Sequence, residues 1–148
     1  MTDTNWKWRY VGYVLVQCTW GILQTICGLV YFLISIRFPH SFYHGAILTR
    51  RSGIGGVSLG LFIFAGDRGS EEKQAAVAVH EYGHSIQSLL LGSLYMLLIV
   101  PESLLWCGLP YFVRLRREKN ISYYALYTEA WANCLGKAVL HEAVPEDS

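Results

Sequence analysis

The stretch "VGYVLVQCTWGILQTICGLVYFLISI", residues 11–36, carries no charged residue. No other feature restricts the fold as strongly. As one helix rising about 1.5 Å per residue it would extend roughly 39 Å, enough to cross a hydrocarbon core of about 30 Å with some tilt. The reading adopted is a single N-terminal transmembrane helix over 11–36. A cleaved signal peptide competes, but its apolar region spans only about 7–15 residues and closes on small residues, whereas this run ends in "ISIRFPH". A buried helix in a soluble protein also competes, although few soluble cores hide so long an uncharged run. Trp6, Trp8 and Tyr10 before the run, and Phe38, Phe42 and Tyr43 after it, fit interfacial aromatic belts, with Lys7, Arg9 and Arg37 as polar flanks.

With 148 residues, 53% of them apolar and 16% charged, the chain fits one membrane-associated domain over 1–148, its partner the lipid bilayer. A net charge of +1 gives no basic groove, so nucleic acid is not an expected partner. Arg37, Arg50, Arg51 and "RLRREK" outnumber Lys7 and Arg9 at the N-terminus. That asymmetry assigns the chain after residue 36 to the cytoplasmic side of an inner membrane. Cys18, Cys27, Cys107 and Cys134 have no C-x-x-C spacing and read as buried small hydrophobes.

The expected class is α+β, mainly α. Two β-prone runs near 45–50 and 57–64 flank the glycine-rich 52–56 and predict a β-hairpin over 44–66. The second strand is apolar nearly throughout, so both faces should be covered, by the membrane interface on one side and the next helix on the other. Ser70 as N-cap, Glu71 and Glu72 in a first turn, and Gly92 as a stop delimit a helix over 70–91. A second apolar segment, 93–113, is interrupted by Pro101 and Pro110, and a final amphipathic helix covers 121–142.

Inside the 70–91 helix lies "HEYGH". Residues four apart share a helix face, so His80 and His84 can present imidazole nitrogens to one ion. Glu81 sits beside that face, where its carboxylate can reach a metal-bound water and act as general base. A catalytic zinc takes three protein ligands, and "TEAWAN" is the best source of the third. Glu129 and Asn133 lie four apart, so Glu129 can bind the metal while Asn133 accepts a ligand-histidine N–H. Were 93–113 to cross the membrane once, His84 and Glu129 would face opposite sides, so the segment is expected to turn near Pro101 as a re-entrant or interfacial hairpin. Gln87 could touch substrate or simply pack in the helix. Tyr123, Tyr124 and Tyr127 could offer a phenol to an oxyanion. His40, His44 and His141 have no partner at ligand spacing.

"HEYGHSIQS", "LGSLYMLLIVPESL" and "YYALYTEAWANCLG", with the earlier "LQTICG" and "SLGLFIF", resemble a family of small bacterial membrane proteins with gluzincin-like features. The resemblance extends roughly over 23–136. It implies His80, His84 and Glu129 as ligands to one zinc ion per chain, Glu81 as base, and the 57–64 strand as an edge to which an extended peptide adds. Two departures stand out: Asn133 occupies the place of an Asp, and Glu102 intrudes into the proline-serine turn. The resulting expectation is a membrane-anchored zinc metallopeptidase acting on a peptide or protein substrate. Iron, cobalt and manganese also suit such ligands. The rival expectation is a non-catalytic membrane interaction protein, with a structural metal site or none.

Overall fold

A computed structural model describes residues 5–145. Residues 1–4 and 146–148 of the expected domain, and the side chain of Trp6, lie outside what is described. The class is α+β and mainly helical, as the sequence pattern implies.

The single helix expected over 11–36 is not formed. α1 (Asn5–Thr19) and α2 (Ile22–Ile34) meet at a 95° bend around Trp20 and Gly21. Among the described residues no single helix is long and apolar enough to cross a membrane. The cause lies in Gln17 and Gln24, both fully buried. Gln17 Nε2 donates to the Ser85 carbonyl and hydroxyl at 3.0 Å each, and Ser88 donates to Gln17 Oε1 at 2.9 Å. Gln24 Nε2 donates to Ser88 Oγ at 2.7 Å and to the Gly92 carbonyl at 2.9 Å. A straight helix would strand these amides in apolar surroundings, at about 1–3 kcal/mol for each unpaired group. Bending at Gly21 turns both inward onto one helix.

Where one hairpin was expected over 44–66, two are found over 40–66. β1 (His40–Tyr43) pairs antiparallel with β2 (Ala46–Arg51), and β3 (Gly56–Leu59) antiparallel with β4 (Phe62–Gly66). β2 and β4 are parallel, giving the order β1-β2-β4-β3. The expected 57–64 strand is thus split at Gly60, whose φ of +61° suits a tight turn lodged against Thr25. Only its first half is an edge strand. β4 is buried on both faces: Ile63 and Ala65 join Ala78 and Tyr82, while Phe62 meets Phe32 and Phe64 meets Tyr31. The second cover is therefore α2, where a membrane interface was expected.

α3 (Glu71–Leu91) runs between the expected signals: Ser70 Oγ accepts from the Lys73 N–H at 3.3 Å, and Gly92 ends the helix with φ +57°. A 3-10 turn, Gly92–Leu94, leads to α4 (Tyr95–Leu98), α5 (Val100–Gly108) and α6 (Pro110–Lys119). Both prolines open helices here. Within the expected 93–113 segment the chain bends by 57° between residues 98 and 100, beside Pro101, and its arms are short helices, because proline suits a helix start and disrupts a helix interior. The final helix, α7 (Tyr127–Leu140), is shorter than the expected 121–142: Tyr123–Ala125 forms a separate 3-10 turn, and His141 caps the end at φ +58°. The cysteines are not buried as expected. Cys18, Cys107 and Cys134 are exposed, since the apolar runs that carry Cys18 and Cys107 turn apolar faces outward.

Candidate metal centre

α7 lies closely against α3 because two positions lack a side chain. A Cβ on Gly83 would fall on the Ala132 carbonyl, and one on Gly136 would fall on that of Val79. This approach carries Glu129 to the face that presents His80 and His84. Glu129 Oε2 stands 3.1 Å from His80 Nε2 and 3.4 Å from His84 Nε2. All three ligand atoms lie within 4.8 Å of one another, on side chains that are 0–7% exposed. Tetrahedral coordination with arms of about 2.0–2.1 Å places neighbouring donors roughly 3.3–3.4 Å apart. The two distances from Glu129 suit that geometry.

The other nitrogen of each ring is occupied. His80 Nδ1 is 2.7 Å from Asn133 Oδ1, and His84 Nδ1 is 2.8 Å from Gln87 Oε1. The Gln87 orientation is fixed independently, since its Nε2 donates to the Thr128 carbonyl at 2.8 Å. An amide oxygen only accepts, so this network assigns a proton to each Nδ1 and leaves each Nε2 directed at Glu129. Each Nε2 faces the Glu129 carboxylate, where either an imidazole proton or a bound cation would join the two. The second Glu129 oxygen is buried without a hydrogen-bond partner, as is Glu81 Oε2. The donor set therefore fits a divalent ion of the zinc type.

Burial opposes ionisation of Glu129, yet hydrogen bonds involving His80 and His84 hold its carboxyl well below the usual carboxylate range. Glu81 behaves oppositely. Burial pushes it up to about 7; His80 pulls it down and Glu129 adds to the rise. Two neighbouring carboxyls with opposed tendencies suit one ligand and one proton carrier. Glu81 abuts β3 so closely that a Cβ on Gly56 would lie 2.6 Å from its Oε1.

Among the weaker candidates, Gln87 is fully buried and holds His84, so it offers no surface to a substrate. Tyr123 is kept protonated by burial and by the nearby carboxylates of Glu129 and Glu81. The Tyr124 ring packs edge-on against His80, with centroids 5.3 Å apart. Tyr127 points away, 59% exposed, towards Glu102. His40, His44 and His141 lie outside the ligand group. Sequence spacing missed Tyr95, whose hydroxyl donates to the Ser58 carbonyl of β3 at 3.1 Å. It also missed Trp106, whose indole N–H donates to the Tyr123 carbonyl at 2.7 Å. Both reach the site from separate short helices, beyond any fixed repeat. Two cavities of about 530 and 570 Å³ lie along α1 and are not lined by the His80, His84 or Glu129 side chains. No protein-family model matches this chain, and no curated protein or solved structure matches it.

Proposed function

We propose that this chain is a membrane-associated zinc hydrolase, most specifically a gluzincin-like metallopeptidase whose centre lies on the cytoplasmic side. One observation carries the reading: the Nε2 atoms of His80 and His84 and the Glu129 carboxylate converge while both Nδ1 positions are already engaged. His80, His84 and Glu129 would hold one zinc. A zinc ion held by three protein ligands acidifies water and polarises a carbonyl. Glu81, poised near neutrality by burial, takes the proton of the attacking water and passes it to the leaving amine. β3 supports a peptide substrate, because it is the edge strand lying against Glu81, and an extended chain can pair along such an edge. The basic Arg114, Arg116, Arg117 and Lys119 of α6 support the cytoplasmic assignment.

The test is metal content by mass spectrometry beside peptide hydrolysis. Wild type is expected to hold about one zinc per chain, the tetrahedral stoichiometry of such a ligand set. His84→Ala and Glu129→Ala should lose most of it. Glu81→Gln should keep its zinc and lose about 10²–10⁴-fold in turnover. Wild type that stays empty after zinc reconstitution would refute the centre. The burial of all three ligands favours a second reading, a metal-stabilised interaction protein without turnover. Full zinc occupancy with no hydrolysis in either wild type or Glu81→Gln would select it.

A further inference from the structure

α2 turns small and polar residues inward, with Tyr31 and Phe32 packed on β4, and aliphatic ones outward. Its buried residues are Gln24, Thr25 and Gly28, following buried Gly21 and preceding buried Ser35. These positions recur at helical spacing and form one face. The opposite face consists of Ile22, Leu23, Ile26, Leu29, Val30, Leu33 and Ile34, all exposed. α1 repeats the pattern, with Gln17 inward and Val11, Leu15 and Val16 outward. A water-facing helix has the reverse arrangement. Polar side chains that pair with each other while aliphatic ones face out are what hydrocarbon surroundings select.

This surface continues onto the arm after α3. Ser93 Oγ donates to the Trp20 carbonyl at 3.3 Å, Gly92 lies beneath the Trp20 ring, and α2 touches α4. Leu94, Leu97 and Leu98, then Leu104 and Leu105 of α5, extend the exposed apolar area. Exposed aliphatic side chains on α1, α2, α4 and α5, rather than scattered singly, are the pattern of a surface that meets an apolar partner. α6 follows with exposed Arg114, Arg117 and Lys119, a cationic rim of the kind that anionic headgroups attract.

Helix dimensions set the depth. α2 has 13 residues, so it is about 20 Å long, well short of the roughly 30 Å core. Helices meeting at 95° cannot both lie along the membrane normal. We infer that α1, α2, α4 and α5 form a docking surface that enters one leaflet of an anionic bilayer without crossing it, with α6 held against the headgroups. This deepens the membrane part of the functional reading and rests on it, but needs no metal.

The experiment uses the full chain with its native cysteines replaced and single cysteines introduced at residue 26, residue 97 or the C-terminus. Each variant is incorporated into vesicles of phosphatidylcholine and phosphatidylglycerol. Fluorophores at 26 and 97 should be quenched by lipids brominated along the acyl chain. An N-terminal tag and the C-terminal cysteine should both react with impermeant reagents added to the same side. Ile26→Glu together with Leu97→Glu should abolish flotation with vesicles at unchanged circular dichroism, and Arg114→Glu with Arg117→Glu should lower binding at least tenfold on anionic vesicles only. Termini reacting from opposite sides would overturn single-leaflet docking while leaving membrane association standing. Failure to float in any lipid, with a stable dimer in solution, would overturn both and assign the apolar face to a second copy of the chain.

Discussion

Gln87 and Asn133 make the centre depend on uncharged acceptors. A carboxylate in either place would raise histidine basicity, whereas an amide fixes ring orientation only. Gln87 also ties His84 to the backbone just before Glu129, through the Thr128 carbonyl. Gln87→Leu is therefore expected to weaken zinc binding about 10–100-fold in chelator competition, with little change in helix content. Glu81 gives a pH prediction. Its folded pKa is raised from 4.5 to about 7, so the folded state binds that proton more tightly, and stability falls as pH rises between those values. In metal-free protein at pH 8, Glu81→Gln should raise the melting temperature, relieving up to about 3 kcal/mol. A lower melting temperature would show that the carboxylate is stabilised by a partner. The pairing of His80 with His84, and of Glu129 with Asn133, was legible in the sequence because i, i+4 spacing on a helix is a local rule, and the structure brings His80, His84 and Glu129 together with Asn133 on His80. The role of Gln87 was not legible, since it depends on where another helix passes.

At the level of elements, the helix around HEYGH was read within a residue at each end, because its cap, charged first turn and glycine stop are all local signals. The sheet was misread at Gly60, where a single glycine turn inside an apolar run converts one strand into two. Length and hydropathy carry no trace of that turn. The contact between α3 and α7 rests on Gly83 and Gly136. Gly83→Ala forces a methyl into the Ala132 carbonyl. The change should cost about 1–3 kcal/mol and release zinc, because the helices that separate carry different ligands. Gly136→Ala should act alike in urea titrations. Gly83→Ala with wild-type zinc affinity would show that the helices repack without moving Glu129. Gly56→Ala, placed against Glu81, should instead reduce turnover at full zinc content.

Across the whole molecule, one ion would join residues 80 and 129 and so cross-link the two most closely packed helices. Removal of zinc by a chelator should lower unfolding stability by up to about 2.7 kcal/mol relative to protein at a free zinc concentration about a hundred times the dissociation constant. An unchanged thermal midpoint would mean that no ion is bound there. The membrane expectation arose from an uncharged run that is real, but its continuity as one helix was illusory. Gln17 and Gln24 count little against so many aliphatic residues, and their burial against Ser85 and Ser88 is a tertiary fact. The inverted face of α2 also reverses the usual bet of a protein engineer. In a saturation library scored for correct folding in detergent, the exposed Ile22, Leu23 and Ile26 should accept almost any substitution. Gln24→Leu, which hydropathy would reward as an improvement, should be among the most damaging changes in the chain.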